Sequence, residues 1–509
     1  MGLENVDGTF RHPWPGTTPG RPYDPDERVR LTVWFTSPVD NRSEGERAAH
    51  LGGLHVRERV YETRAALRAR TDTGERIATE FERFCAAHGF ARIERHWRST
   101  VISGTLGELV AAFGAHVDIR TSPHGDAFRH RAGWLQLPPH LAPHVRGIFG
   151  FHQWYRPERI GATKRYGLPL EPRAVERRYA FPEARGAGQT IGILAYDASY
   201  HESDFELAMR RLGVRRSHPI LKRVDGERAA HHPDTGADLE AATDVQIAAS
   251  LAPGARIVVY EAPHDERGCL DAIRTAIFDE EYAPSVLSIS YGIVERNWTR
   301  AALDLLDDLF IAAALLGISV FVASGDNATE LDEDGRPHVN APASSPFAIA
   351  CGATEIRSDG AGTVDEIAWH RSGGGFGRAP VPAWQRAAST WAERHGIVPR
   401  RGVPDVSAQC EPGYPVYFRG RELSMHGTST IAPLWAALAA RINETAARAH
   451  GATRTIGFFA PLLYARSAEV VRPIVRGRNA TFEAGAGWNP LAGLGVPNGA
   501  ALEAALTGD

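Results

Sequence analysis

SVLSISYGIVERNWTRAALDLLDDLFIAAALLGISVFVASGD, residues 285–326, sets two short apolar runs on either side of one long one. SVLSISYG (285–292) and ISVFVASGD (318–326) are nearly continuous in apolar and small residues, the pattern of strands buried on both faces. RAALDLLDDLFIAAALLG (300–317) is long enough for a helix and stops at a glycine. Strand, helix, strand is the repeating unit of a parallel sheet. The same pattern recurs in QTIGILAYD (189–197), ARIVVYEAP (255–263) and PFAIACGAT (346–354). Residues 170–509 are therefore expected to form an α/β domain, a parallel sheet flanked by helices. Its ligand site is expected beyond the carboxyl ends of the strands.

Residues 1–165 follow another pattern. RVRLTVWFT (28–36) alternates as a strand does. TGERIATEFERFCAAHG (73–89) puts Ile77, Phe81, Phe84 and Cys85 on one helical face, and STVISGTLGELVAAFGA (99–115) predicts a strand, a turn and a helix. That is a smaller α+β domain. PERIGATKRYGLPLEPR (157–173), polar and rich in Gly, Pro and Arg, is expected to be an exposed linker.

With 509 residues, two or three domains are expected. A net charge of −4, with 43% hydrophobic and 23% charged residues, gives no basic excess for nucleic acid. The four cysteines (Cys85, Cys269, Cys351, Cys410) show no CxxC spacing, so a metal cluster is not expected and buried free thiols are. No run reaches the roughly 18 apolar residues of a membrane span. The first twenty residues lack the basic and apolar regions of a signal peptide.

HGTSTIAPLWAALAARIN (426–443) places Ser429 at a strand-to-helix turn, near free backbone N–H groups at the helix start. A serine there reads as a nucleophile that needs a base. His231 and His232, in AAHHPDTGAD, would make it a Ser-His-Asp enzyme. The other candidates are Glu240 and Asp244, four residues apart on one face of the helix predicted in DTGADLEAATDVQIAASLAPGA (234–255). Taken alone, an ExxxD pair is the mark of a solvated helix surface. Asp326 ends VFVASGD, and Asn327 beside it is a second candidate for stabilising an oxyanion.

Taken in order, YAFPEARGAGQTIGILAYD, the 240–244 pair, LAPGARIVVYEAP, SISYG, VASGD, SGGGFG, RGVPDVSA, the GTSxxxP turn and AGAGWNPLAGLGVP (484–497) resemble the sedolisin family of serine-carboxyl peptidases. LVAAFGA and GWLQLPPHLAPHVRGIFGF within 1–165 resemble that family's propeptide. The resemblance implies a subtilisin-like fold and an endopeptidase proenzyme active at acid pH. Ser429 is the implied nucleophile, Glu240 its general base, Asp244 the group that orients Glu240, and Asp326 a protonated donor to the oxyanion. It also implies SISYG and SGGGFG along the substrate groove, polypeptide substrates, and the chain's own propeptide as intramolecular inhibitor, cut away within 157–173. An extracellular place of work, a monomer, and no nucleic-acid or membrane partner complete the expectation. A Ser-His-Asp peptidase and a catalytically silent peptide-binding relative are the alternative readings, the latter suggested by His426, where the family usually has glycine.

The family's calcium site has an Asp-Ile pair and a GxGWD segment. The matching places here are Pro473-Ile474 and Gly485-Ala486-Gly487-Trp488-Asn489, so both carboxylates are missing. A hard cation loses most of its attraction to a site of neutral oxygens, so no metal is expected. A guanidinium from Arg472, Arg476 or Arg478 is the expected substitute for part of the ion's role.

Overall fold

The computed structural model describes residues 2–508 apart from 15–16, 123–124, 155–170, 227–235, 329, 332–336, 359–363 and 452. Its main sheet runs Ile220–Arg223, Arg256–Ala262, Thr190–Tyr196, Val286–Ile289, Ser319–Ala323, Ile349–Ser358, with Val406–Glu411 also parallel to the last of these. An antiparallel strand, Val364–Ala368, pairs with the far half of Ile349–Ser358. Every expected strand is present. Only PFAIACGAT is displaced, its strand starting at Ile349 and running on to Ser358. Side chains of 190–196 and 319–323 are buried throughout, as continuous apolar strands between two helical layers must be.

Three helices decide the site. Arg300–Leu315 is the one read from the opening stretch; Thr299 caps it, its hydroxyl accepting from the Ala302 N–H. Ile431–His450 is Ala-rich and buried from Ile431 to Glu444, and it packs across the sheet centre. Gly236–Leu251 lies against it and is buried from Asp238 to Leu251. Glu240 and Asp244 therefore do not face solvent, the usual fate of an ExxxD pair. Gln246 fixes this helix to the hairpin Tyr414–Phe418/Arg421–Met425: its Nε2 donates to the Tyr417 carbonyl (2.8 Å) and its Oε1 accepts from the Tyr417 N–H (2.9 Å).

The N-terminal region is α+β, as expected. Its antiparallel sheet runs Ala91–His96, Ser99–Thr105, Arg28–Phe35, Val145–Phe149. The helix Glu75–Ala87 buries Ile77, Phe81, Phe84 and Cys85. The expected turn after 99–105 is absent: Thr105 both ends the strand and caps the helix Leu106–Ala112, in a capping box with Glu108. This region docks on the helices Glu266–Ile277 and Arg300–Leu315 through buried polar pairs. Arg11 meets Glu266, Thr32 Oγ1 donates to Asp271 (2.6 Å), and Arg98 pairs with Asp308 (2.9 Å). All four cysteines are buried and free. Among the described residues no helix is long and apolar enough to cross a membrane. Most of the expected linker, 157–170, and His231 and His232 lie outside the described residues; Pro172–Arg178 is helical.

Candidate active site

The hairpin strand Arg421–Met425 delivers the chain to Gly427, and one 3₁₀ turn, Thr428–Thr430, leads into the helix Ile431–His450. Ser429 sits in that turn, nearly buried, at the helix entrance where the sequence places it. Gly427 has φ +118, and a Cβ there would lie 2.3 Å from Asp326 Oδ2. Only glycine lets that carboxyl come so close to the turn.

Asp326 follows the strand Ser319–Ala323 by three residues, at the carboxyl end of the sheet. Its Oδ1 accepts from both the Thr428 N–H and the Thr428 hydroxyl, each at 2.7 Å. The Thr428 hydroxyl in turn accepts from the Gly325 N–H (3.0 Å). Arg371 Nε donates to the Asp326 carbonyl oxygen (3.0 Å), and the Gly373 N–H to the Gly325 carbonyl (2.8 Å). The carboxyl is thus held by one oxygen, with Oδ2 on the Gly427 side. Asn327, the rival candidate, is exposed and turns with Ala328, His370 and Arg371 toward a shallow cavity.

On the other side of the turn the Ser429 hydroxyl faces the Glu240 carboxyl. Asp244, one helical turn on, accepts from Ser290 Oγ (2.7 Å), which also lies 3.2 Å from the Ser429 carbonyl. Glu240 Oε1 and Asp244 Oδ2 are buried without a hydrogen-bond partner among the described protein atoms. Glu240, Asp244, Asp326 and Ser429, the four residues read from the sequence, thus come together around one turn, and sequence spacing was the guide to them. It missed Thr428 and Ser290, although both lie inside motifs already singled out, GTS and SISYG.

Burial raises all three acids. Glu240 is pushed up to about 8, the Ser429 contact opposing burial and the charge of Asp326 adding to it. Asp244 is raised well above the usual carboxylate range by burial and by Glu240. Burial also raises Asp326 against the two Thr428 hydrogen bonds and, more weakly, against Arg371 and His426. Carboxyls in such surroundings hold protons that exposed ones lose. His426 is half-buried, with its ring 6.4 Å from that of Trp369.

The SGGGFG segment continues into the strand Gly375–Pro380, paired with Arg400–Val403. The last described residue before the linker, Trp154, packs on Trp298 (5.0 Å) and His264 (5.5 Å). His264 lies 6.2 Å from Tyr291 of SISYG. Trp154 thus lies one ring contact away from the SISYG segment, through His264.

Residues 229–458 match the model of the subtilase family. The match and the parallel sheet flanked by helices define the subtilisin-like fold. The particular family follows from full-length likeness. Kumamolisin of Bacillus sp. (strain MN-32) is 33% identical over 544 aligned positions, covering 99% of this chain and 96% of that protein. The chain belongs to the sedolisin family and is a sedolisin-type peptidase. Human tripeptidyl-peptidase 1 is 28% identical over 406 positions, 72% of this chain and 71% of that protein. A Pseudomonas sedolisin, a serine-carboxyl proteinase complexed with two molecules of pseudo-iodotyrostatin, shares the fold with a TM-score of 0.57 at 24% identity. That likeness covers 66% of this chain and 97% of the other.

Proposed function

We propose that this peptidase is an acid-acting serine endopeptidase made as a proenzyme, with Ser429, Glu240, Asp244 and Asp326 as its working groups. The observation that carries the reading is the convergence of three carboxyls on one turn, Glu240 facing the Ser429 hydroxyl and Asp326 bound to Thr428 next to it. Ser429 Oγ attacks the scissile carbonyl carbon while its proton passes to Glu240. Asp244 takes the single proton that the pair holds in the reacting complex, since two buried carboxyls this close do not both ionise cheaply. Glu240 reacts from that singly ionised form, which the raised values of the free enzyme make a minor one at pH 4. Asp326, neutral, donates from Oδ2 to the oxygen that becomes negative in the tetrahedral intermediate. Glu240 then returns the proton to the leaving amine, and water hydrolyses the acyl-enzyme by the same steps in reverse order.

An ionised Asp326 would repel the oxyanion, so activity falls as pH rises through its raised value. Residues 1–165 act as the propeptide, cut between 157 and 173, and the enzyme works outside the cell as a monomer without metal or nucleic acid. Incubation at about pH 4 with a denatured protein tests the reading, wild type beside Ser429→Ala. Substrate cleavage and loss of the first 160-odd residues in wild type alone are expected. A stable full-length wild type that cuts nothing makes it a silent relative. Cleavage only of peptides with a free N-terminus makes it an exopeptidase.

A further inference from the structure

Asn489 closes the GAGWN segment and is fully buried. Every polar atom of its side chain is engaged. Oδ1 accepts from the backbone N–H groups of Leu491 (3.2 Å) and Ala492 (3.0 Å). Nδ2 donates to the carbonyls of Ile474 (3.0 Å) and Gly485 (3.4 Å). Turning the amide over would set an NH₂ against two N–H groups and an oxygen against two carbonyls, so the neighbours dictate the orientation.

Ile474 and Gly485 are two of the places where the resemblance to the family implies calcium ligands. The donor set does not suit that ion. Pro473 replaces one carboxylate, and the Asn489 hydrogens point at the carbonyls a cation would need. The nearby arginines are engaged elsewhere: Arg472 pairs with Glu366, and Arg476 with Asp365 on the antiparallel strand Val364–Ala368. The expected guanidinium substitute is therefore not what meets these carbonyls from Arg472 or Arg476.

We propose that the Asn489 amide takes the place of a bound cation, tying the 474 and 485 segments together from within so that the fold does not depend on calcium. This goes beyond the peptidase reading, but the loop bears on the active site. Leu491, whose N–H Asn489 holds, accepts through its carbonyl from Ser372 Oγ (2.9 Å). Ser372 precedes Gly373, whose N–H donates to the Gly325 carbonyl beside Asp326. Trp488 anchors the same loop, its Nε1 donating to the Pro404 carbonyl (2.8 Å).

Thermal melting of the full-length Ser429→Ala protein in EGTA and in millimolar calcium chloride is the test. The expected midpoint is the same in both. Asn489→Asp turns a carboxyl oxygen on the Ile474 and Gly485 carbonyls. Its midpoint is expected to fall by several degrees in EGTA and to recover in part with calcium, a response the parent lacks. A parent midpoint that climbs sharply at micromolar calcium overturns the proposal, as does an Asn489→Asp midpoint equal to the parent's in EGTA. If that variant does not fold, equilibrium dialysis of the parent against radioactive calcium decides: no bound ion supports the proposal, and one ion per chain overturns it.

Discussion

Two sets of buried carboxyls divide this molecule. At the Ser429 turn, Glu240, Asp244 and Asp326 meet hydroxyls, N–H groups and one another. At the face that receives the N-terminal region, Glu266, Asp308 and Asp225 meet arginines: Arg11, Arg98 and Arg274. The partners differ, and at Asp225 they reverse the direction that burial sets. Burial acts on Asp225 too, yet the hydrogen bond from His96 and the charge of Arg274 overcome it and hold this acid below the usual carboxylate range. The acids around Ser429 move the other way. The first set is suited to moving protons, the second to holding two parts of a chain together.

The largest expected effect that separates the two sets is on rate. Glu240→Gln should lower kcat about 10²–10⁴-fold, the usual range for losing a general base; a histidine-based enzyme would barely respond. In the Ser429→Ala background the same change should act on stability with a definite sign. Glu240 rises from 4.5 to about 8 on folding, so its favourable contribution is complete below 4.5 and is lost as pH rises through about 8. Glu240→Gln should therefore melt with the parent at pH 4 and above it at pH 8, by on the order of a few kcal/mol. A variant less stable at pH 8 than at pH 4, relative to the parent, would contradict the assignment.

The interface set should respond in the opposite manner to losing a partner. Arg98→Ala leaves the Asp308 carboxyl buried with Arg146 at 3.5 Å as its cation and the Asn41 amide as a donor, and should cost about 3 kcal/mol in denaturant unfolding at pH 7. Arg98→Met with Asp308→Leu should recover most of that loss, because it is the unpaired charge that is expensive. No recovery would mean that the pair is worth more than its apolar replacement.

Much of this was legible in the sequence because local pattern and burial agree. Continuous apolar runs gave the strands, and helical spacing paired Glu240 with Asp244. The spacing could not say that the helix Gly236–Leu251 is buried on every side, which is what raises the pair; that depends on the helix Ile431–His450 and the 414–425 hairpin closing over it. Nor could it reveal Ser290 or Thr428 as supports, because their hydroxyls meet the acids only when strands distant in sequence end side by side. At the 474–489 loops the loss of two carboxylates was plain. What replaces them was not, since the choice of an amide over a guanidinium turns on where Glu366 and Asp365 draw Arg472 and Arg476.

The central claim is that a neutral carboxyl at position 326 serves the oxyanion, and Asp326→Asn tests it most directly. With its oxygen still accepting from Thr428, the amide would place NH₂ where Oδ2 now stands, a donor that no pH removes. The pH dependence of kcat/KM for the processed enzyme is the measurement. Asp326→Asn is expected to be slower at pH 4, by about 10²-fold, and to lack the wild type's decline as pH rises. A variant that declines over the same pH range as wild type would show that another group, not Asp326, carries the critical proton.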